Sequence, residues 1–125
     1  MTRYKSQGFN KTFRNARKGF NLALKSEINI RVHVIVATIV ILSAFYLKFS
    51  GVEFCLVLFC IALVICAEML NTAIEFTLDS IYHNRYSRMV GMAKDISAGA
   101  VMFATLISIL IGLILFGEKI IGLIA

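Results

Sequence analysis

Glu68, Asn71, Glu75 and Asp79 stand where hydrocarbon would be expected, directly after the apolar run 54–67. No proline or glycine falls between Phe54 and Asp79, so nothing there would end a helix. Spacings of 3, 4 and 4 residues put the four polar side chains on one helical face. Carboxylates at membrane depth are costly and usually functional. Two acids seven residues apart on one face, with an amide between them, make poor packing residues. Glu27 and Asp95 add acids beside the apolar runs, and Lys18, Arg31, Arg85, Arg88 and Lys94 add cations. So many oxygen donors suit a hard divalent ion such as magnesium, which keeps water and shares a nucleotide's phosphates. The cations suit the polyphosphate itself. A carboxylate left over could take a proton from an alcohol. Positioning, a metal, cationic neutralisation and a base are the requirements of phosphoryl transfer.

The elements that must position these residues follow from composition. Of 125 residues, 59% are hydrophobic, too many for a soluble domain of this size. Three apolar stretches each approach the ~20 residues of helix that a bilayer core requires. The expected fold is a single all-α membrane domain over 1–125, with membrane helices at 30–49, 52–80 and 95–117. A surface helix over 4–26 precedes them. Its apolar side is Tyr4, Phe9, Phe13, Ala16, Phe20 and Leu24, and Lys5, Lys11, Arg14, Arg17 and Lys18 fall mostly elsewhere. That pattern reads as an anchor held by anionic lipid. Three helices bury one another poorly and a site needs walls, which points to a homo-oligomer.

Charge sets an expected topology. Eight cations precede the first span, three lie between the second and third, and only Lys48 and Lys119 lie on the opposite side. Eleven against two puts the N-terminus in the cytoplasm. The acidic face then meets cytosolic ATP and magnesium. The polar, basic N-terminus reads without a cleavable signal peptide. Topology accounts for the net charge of +6, so no nucleic-acid partner is expected. Neither GxxxxGK[ST] nor GxGxxG occurs, so any nucleotide site differs from the familiar soluble ones. Cys55, Cys60 and Cys66 match no metal spacing and read as packing residues. His33 reads as an interfacial or packing histidine, and His83 as a loop residue. Tyr46, Tyr82 and Tyr86 read as interface aromatics, and Glu53 and Glu118 as helix-end residues.

Three segments carry a family resemblance. Glu68-Met69-Leu70-Asn71-Thr72-Ala73-Ile74-Glu75, followed by Asp79, resembles the signature of the small bacterial integral-membrane lipid kinases, the prokaryotic diacylglycerol kinase and undecaprenol kinase family. Lys94-Asp95-Ile96-Ser97-Ala98-Gly99-Ala100-Val101 resembles the family's second signature. Ala16-Arg17-Lys18-Gly19-Phe20, with Glu27 and Arg31 beyond it, is similar to its N-terminal part. Together they span almost the whole chain in order.

The resemblance implies a homotrimer in the bacterial plasma membrane, with active sites shared between subunits. It implies Glu68 as general base on the lipid hydroxyl, and Glu27 and Glu75 as holders of the magnesium that accompanies ATP. It implies Asn71 as a residue orienting base or substrate, with Arg31 and Asp79 in substrate-side or supporting roles. Lys94, Asp95 and the loop residues Arg85, Tyr86 and Ser87 would lie at the nucleotide, with Asn15 and Lys18 closing over its phosphates. Arg85-Tyr86-Ser87 departs from the acidic-Tyr-His run of the diacylglycerol kinases, and Asn15 replaces an aromatic. The Asn-Thr-Ala-Ile-Glu and Ile-Ser-Ala-Gly-Ala-Val wording is closer to the undecaprenol kinase branch. The implied activity is ATP- and magnesium-dependent phosphorylation of a membrane lipid alcohol. Undecaprenol is the first choice and diacylglycerol the second. Two rival classes make other predictions. A proton- or ion-coupled transporter would carry its acids near mid-span. A structural subunit would tolerate Glu68→Gln.

Overall fold

A computed structural model of the chain describes residues 8–83, 85 and 87–125. The described chain is helical: α1 (Phe9–Ser26), α2 (Ile28–Tyr46), α3 (Gly51–Tyr82) and α4 (Arg88–Ile124). The last three are long and apolar enough to cross a membrane. α3 lies between α2 and α4 and packs on both, while α1 touches α2.

Each spanning helix turns a seam of small or branched residues inward. On α2 the seam is Ile30, Ala37 and Ala44, and on α3 it is Val57, Val64, Glu68 and Thr72. On α4 it is Val90, Ser97, Ala104 and Leu115. Sevenfold and fourfold spacings keep one stripe against a neighbour. Alanine and serine let backbones approach, as helix association in lipid requires. Cross-helix contacts fix an antiparallel register. Lys119 meets Glu53 at 3.1 Å, Ser108 donates to the Cys60 carbonyl at 3.4 Å, Ser97 meets Asn71 at 2.6 Å and Lys94 meets Asp79 at 2.7 Å.

The α2–α3 corner turns tightly without proline or glycine at its bend. Lys48 takes a left-handed φ of 57°, and its N–H donates to the Phe45 carbonyl at 3.1 Å. The Phe49 N–H reaches back to the Ala44 carbonyl at 3.1 Å, completing a Schellman motif. Ser50 then starts α3 with a capping box: its Oγ accepts from the Glu53 N–H at 3.2 Å, and its own N–H donates to Glu53 Oε1 at 3.0 Å. Lys119 lies over the Phe49 ring, and Phe49 packs on Phe116 with centroids 4.7 Å apart. Glu53 therefore caps a helix and pairs with a cation at this end.

The helices do not stop where the apolar runs stop. α2 ends at Tyr46 rather than 49, because the Schellman turn begins there. α4 begins at Arg88 rather than 95, because Ser87 caps it by accepting from the Val90 N–H at 3.1 Å. α3 has 32 residues and α4 has 37, so they are about 48 and 56 Å long at 1.5 Å per residue. A hydrocarbon core is only ~30 Å thick. Both helices therefore continue past it. Glu68 lies seventeen residues into α3, about 26 Å from its start, and Glu75 and Asp79 lie further on. The acids collect at one end of the span, unlike those of a mid-span relay.

α1 is amphipathic, but its apolar side is not covered by the chain. Phe9 is 82% exposed, Phe13 63% and Phe20 40%, and only Ala23 is buried. That suits a helix whose apolar face lies in lipid. Tyr4 and the rest of 4–7 lie outside the described residues. Cys55 and Cys66 are exposed on the single chain and Cys60 is half-buried, so only Cys60 packs inside it.

Candidate active site

The polar face of α3 divides between its two neighbours. Glu68 turns toward α2, where its Oε1 lies 3.2 Å from His33 Nε2. Asn71 and Asp79 turn toward α4. Glu68 is 6% exposed, and its face continues the inward seam of Val57 and Val64. His33 reaches it because it sits on the inward stripe of α2, three residues after Ile30 and four before Ala37. A carboxylate acting as a base only accepts, so His33 Nε2 carries the hydrogen between them. Glu68 Oε2 has no protein partner among the described residues. No fully covered side-chain oxygen or nitrogen there lacks one, so Oε2 keeps an open face.

Asn71 joins Glu75 to α4. Its Nδ2 donates to Glu75 Oε1 at 3.3 Å, and its Oδ1 accepts from Ser97 Oγ at 2.6 Å. The carboxylate of Glu75 fixes this orientation, because an ionised carboxylate cannot donate and must face the NH₂ end of the amide. Ser97 Oγ also lies 3.0 Å from the Lys94 carbonyl, but its one hydrogen goes to the shorter contact. Ser97 is buried, so removing its hydroxyl leaves Asn71 Oδ1 without a donor. Ser97→Ala should lower unfolding free energy by ~0.5–1.5 kcal/mol, read as a lowered Tm in detergent. The Lys94–Asp79 pair is short, but its side chains are 36% and 37% exposed, so it contributes less, about 0.2–1 kcal/mol.

The remaining candidates lie around the α1–α2 hinge, along α1 and at the start of α4. Glu27 is the single extended residue between α1 and α2, with φ −123° and ψ 118°, and it is half-buried. Arg31 braces that hinge: its Nη1 donates to the Leu24 and Lys25 carbonyls at 3.3 and 3.0 Å. Asn15 and Lys18 are exposed on α1, Arg85 and Asp95 are exposed, and Ser87 caps α4. Tyr86 lies outside the described residues. Among the described residues, neither Glu27 nor Glu75 has a cationic partner, and no three His, Cys, Asp or Glu side chains form an ion cage. Two carboxylates leave an octahedral ion open to water and phosphate oxygens. Carboxylate oxygens are the donor type that magnesium takes. His33 and Ser97 were not among the site residues expected from sequence. Their signal was the inward seam spacing of α2 and α4, which becomes informative once α3's partners are known.

Beside this polar end an open, apolar groove of about 250 Å³ runs between α2, α3 and α4. It extends from His33 to Leu115 and Phe116, and Cys60, Thr105 and Ser108 are its other polar lining. Glu68 is not part of that lining; it stands behind His33, the groove residue that it meets at 3.2 Å.

Known proteins resemble the chain over most of its length. Undecaprenol kinase of Bacillus subtilis (strain 168) is 34% identical over 111 residues, covering 89% of each chain. Diacylglycerol kinase of Haemophilus influenzae (strain ATCC 51907 / DSM 11121 / KW20 / Rd) is 31% identical over 117 residues, 90% of this chain and 98% of the relative. Diacylglycerol kinase of Escherichia coli (strain K12) is 28% identical over 93 residues, 74% of this chain and 75% of the relative. The family model for prokaryotic diacylglycerol kinase matches residues 14–116, which takes in Glu27, the α3 acids, the α4 start and every helix-to-helix contact of the polar end. This chain belongs to the prokaryotic diacylglycerol kinase family.

Proposed function

We propose that this membrane lipid kinase transfers the γ-phosphoryl group of ATP to the primary hydroxyl of undecaprenol, giving undecaprenyl phosphate. The observation that carries the reading is the buried Glu68 carboxylate, held by His33, which itself lines an apolar groove. Glu68 Oε2 takes the hydroxyl proton as the lipid oxygen attacks the γ-phosphorus. The O–H bond breaks, a new O–P bond forms, and the bond from phosphorus to the bridging oxygen breaks with its electron pair leaving on ADP. No phosphorylated protein intermediate is needed. Magnesium, when bound, supplies neutralisation of the β- and γ-phosphate oxygens. Glu75 and Glu27 are the carboxylates that would hold it, with Asn71 fixing the Glu75 oxygen.

Lys94, Asp95, Arg85, Tyr86 and Ser87 are proposed to face the nucleotide, and Asn15 and Lys18 to close over its phosphates. Asp79 holds Lys94 at 2.7 Å and Arg31 braces the α1–α2 hinge, which supports supporting roles for both. The N-terminus and the α3–α4 loop are proposed to face the bacterial cytoplasm, supported by the eleven cations on that side. A homotrimer with shared sites is proposed as the working form. Its support is the large apolar surface left on one chain.

Diacylglycerol is the second reading, because two of the relatives carry that name and both lipids offer a primary alcohol at the same depth. Phosphate transfer from labelled ATP in mixed micelles decides. Undecaprenol and diacylglycerol are run in parallel, with and without magnesium. Magnesium-dependent labelling with undecaprenol preferred is expected. Faster labelling of diacylglycerol would name the other lipid. No labelling of either by folded protein would overturn the reading.

A further inference from the structure

His33 carries no role in the reaction as described, yet it is the sole hydrogen-bond partner of the Glu68 side chain among the described residues. Its ring lies at the end of the apolar groove, and its side chain is 26% exposed against 8% for Glu68. A carboxylate in such surroundings has few ways to be held. Glu68 is buried, and a buried carboxylate needs a hydrogen-bond donor. Torsions at the end of a glutamate side chain are broad, so an unheld carboxylate samples many orientations. One N–H on Oε1 removes most of that freedom and leaves Oε2 as the oxygen with an open face.

We infer that His33 is a positioning residue for Glu68, donating from Nε2 to Oε1 so that Oε2 is presented to the lipid hydroxyl. The inference rests on Glu68 being the base. The ring does not itself receive the substrate proton. Its Nε2–H stays with Oε1 while the proton from the alcohol goes to Oε2. The arrangement also explains why a histidine lies on the inward stripe of α2 between Ile30 and Ala37, where an aliphatic side chain would pack equally well.

Two variants separate positioning from packing. In glutamine the amide nitrogen is the same number of bonds from Cα as Nε2 is in histidine, so His33→Gln keeps a donor. His33→Leu keeps the bulk and removes the donor. His33→Leu should lower kcat about 10–100-fold, as expected for losing a hydrogen bond to a charged group. The KM for magnesium-ATP should stay within about twofold and the oligomer should be unchanged on size exclusion. His33→Gln should recover kcat to within about threefold of the parent. Parent-like kcat in His33→Leu would overturn the inference, and so would a His33→Gln as slow as His33→Leu. Glu68→Gln is assayed alongside. Inert Glu68→Gln with full activity in His33→Leu removes this inference alone. Full activity in Glu68→Gln removes the base assignment and this inference with it.

Discussion

Glu68→Gln should reduce phosphate transfer by about 10²–10⁴-fold, the range a general base contributes, while the protein still inserts and assembles. The substitution is nearly isosteric. The glutamine Oε1 can still accept from His33 Nε2, now 3.2 Å from the carboxylate, so the local packing has no reason to change. What disappears is the capacity to take a proton. Replacing a buried charge by a neutral amide removes a desolvation cost, so thermal stability in detergent should hold or rise. Activity and stability therefore move apart, a pattern common at functional sites. The measurement is initial-rate labelling of undecaprenol and diacylglycerol, with size exclusion and a melting curve on the same preparation. Transfer within about tenfold of the parent rate would remove Glu68 as the base. A collapse of assembly would instead make Glu68 a structural residue.

Much of the architecture was legible because its causes are local. Apolar runs long enough to span a bilayer fix three helices, and the 3-4-4 spacing of Glu68, Asn71, Glu75 and Asp79 fixes a shared face. The helix ends were less so. A hydrophobic run marks where lipid stops, whereas a helix stops at a cap. Ser87 and the Lys48 turn are the signals that set those ends. The partners of the polar face depend on inter-helix register, which no single helix encodes. His33 looked like a packing residue because its significance lies on α3, thirty-five positions away. Ser97 looked like one of several small residues until Asn71 faced it. Even the stripe itself proved to be shared: one face seen from α3 becomes a carboxylate held by α2 and an amide–carboxylate pair held by α4. Under the proposed roles, that division gives proton transfer and metal holding to different neighbours. It also predicts that damage to the two functions will look different.

Glu75→Gln tests that separation. Here the expected loss is in magnesium, with the magnesium concentration for half-maximal rate rising about 10–100-fold, as for loss of support at a metal site. The reasoning starts from the hydrogen bond that survives. Asn71 Nδ2 donates to Glu75 Oε1 at 3.3 Å, and a glutamine carbonyl at that place still accepts it. The Asn71–Ser97 bond at 2.6 Å is likewise untouched, so α3 and α4 remain joined. The substitution removes one negative charge and one oxygen donor, and little else. A hard cation depends on both. Glu27 would remain as the other carboxylate, which is why high magnesium should recover much of the rate. Magnesium titrated at fixed ATP, with undecaprenol saturating, reads the effect directly. No magnesium concentration should recover Glu68→Gln, because a missing proton acceptor is not supplied by more metal. A Glu75→Gln enzyme with the parent's magnesium dependence and only a lower kcat would show that Glu75 does not hold the ion. The Asn71–Glu75 pair would then act in ordering the base and the lipid.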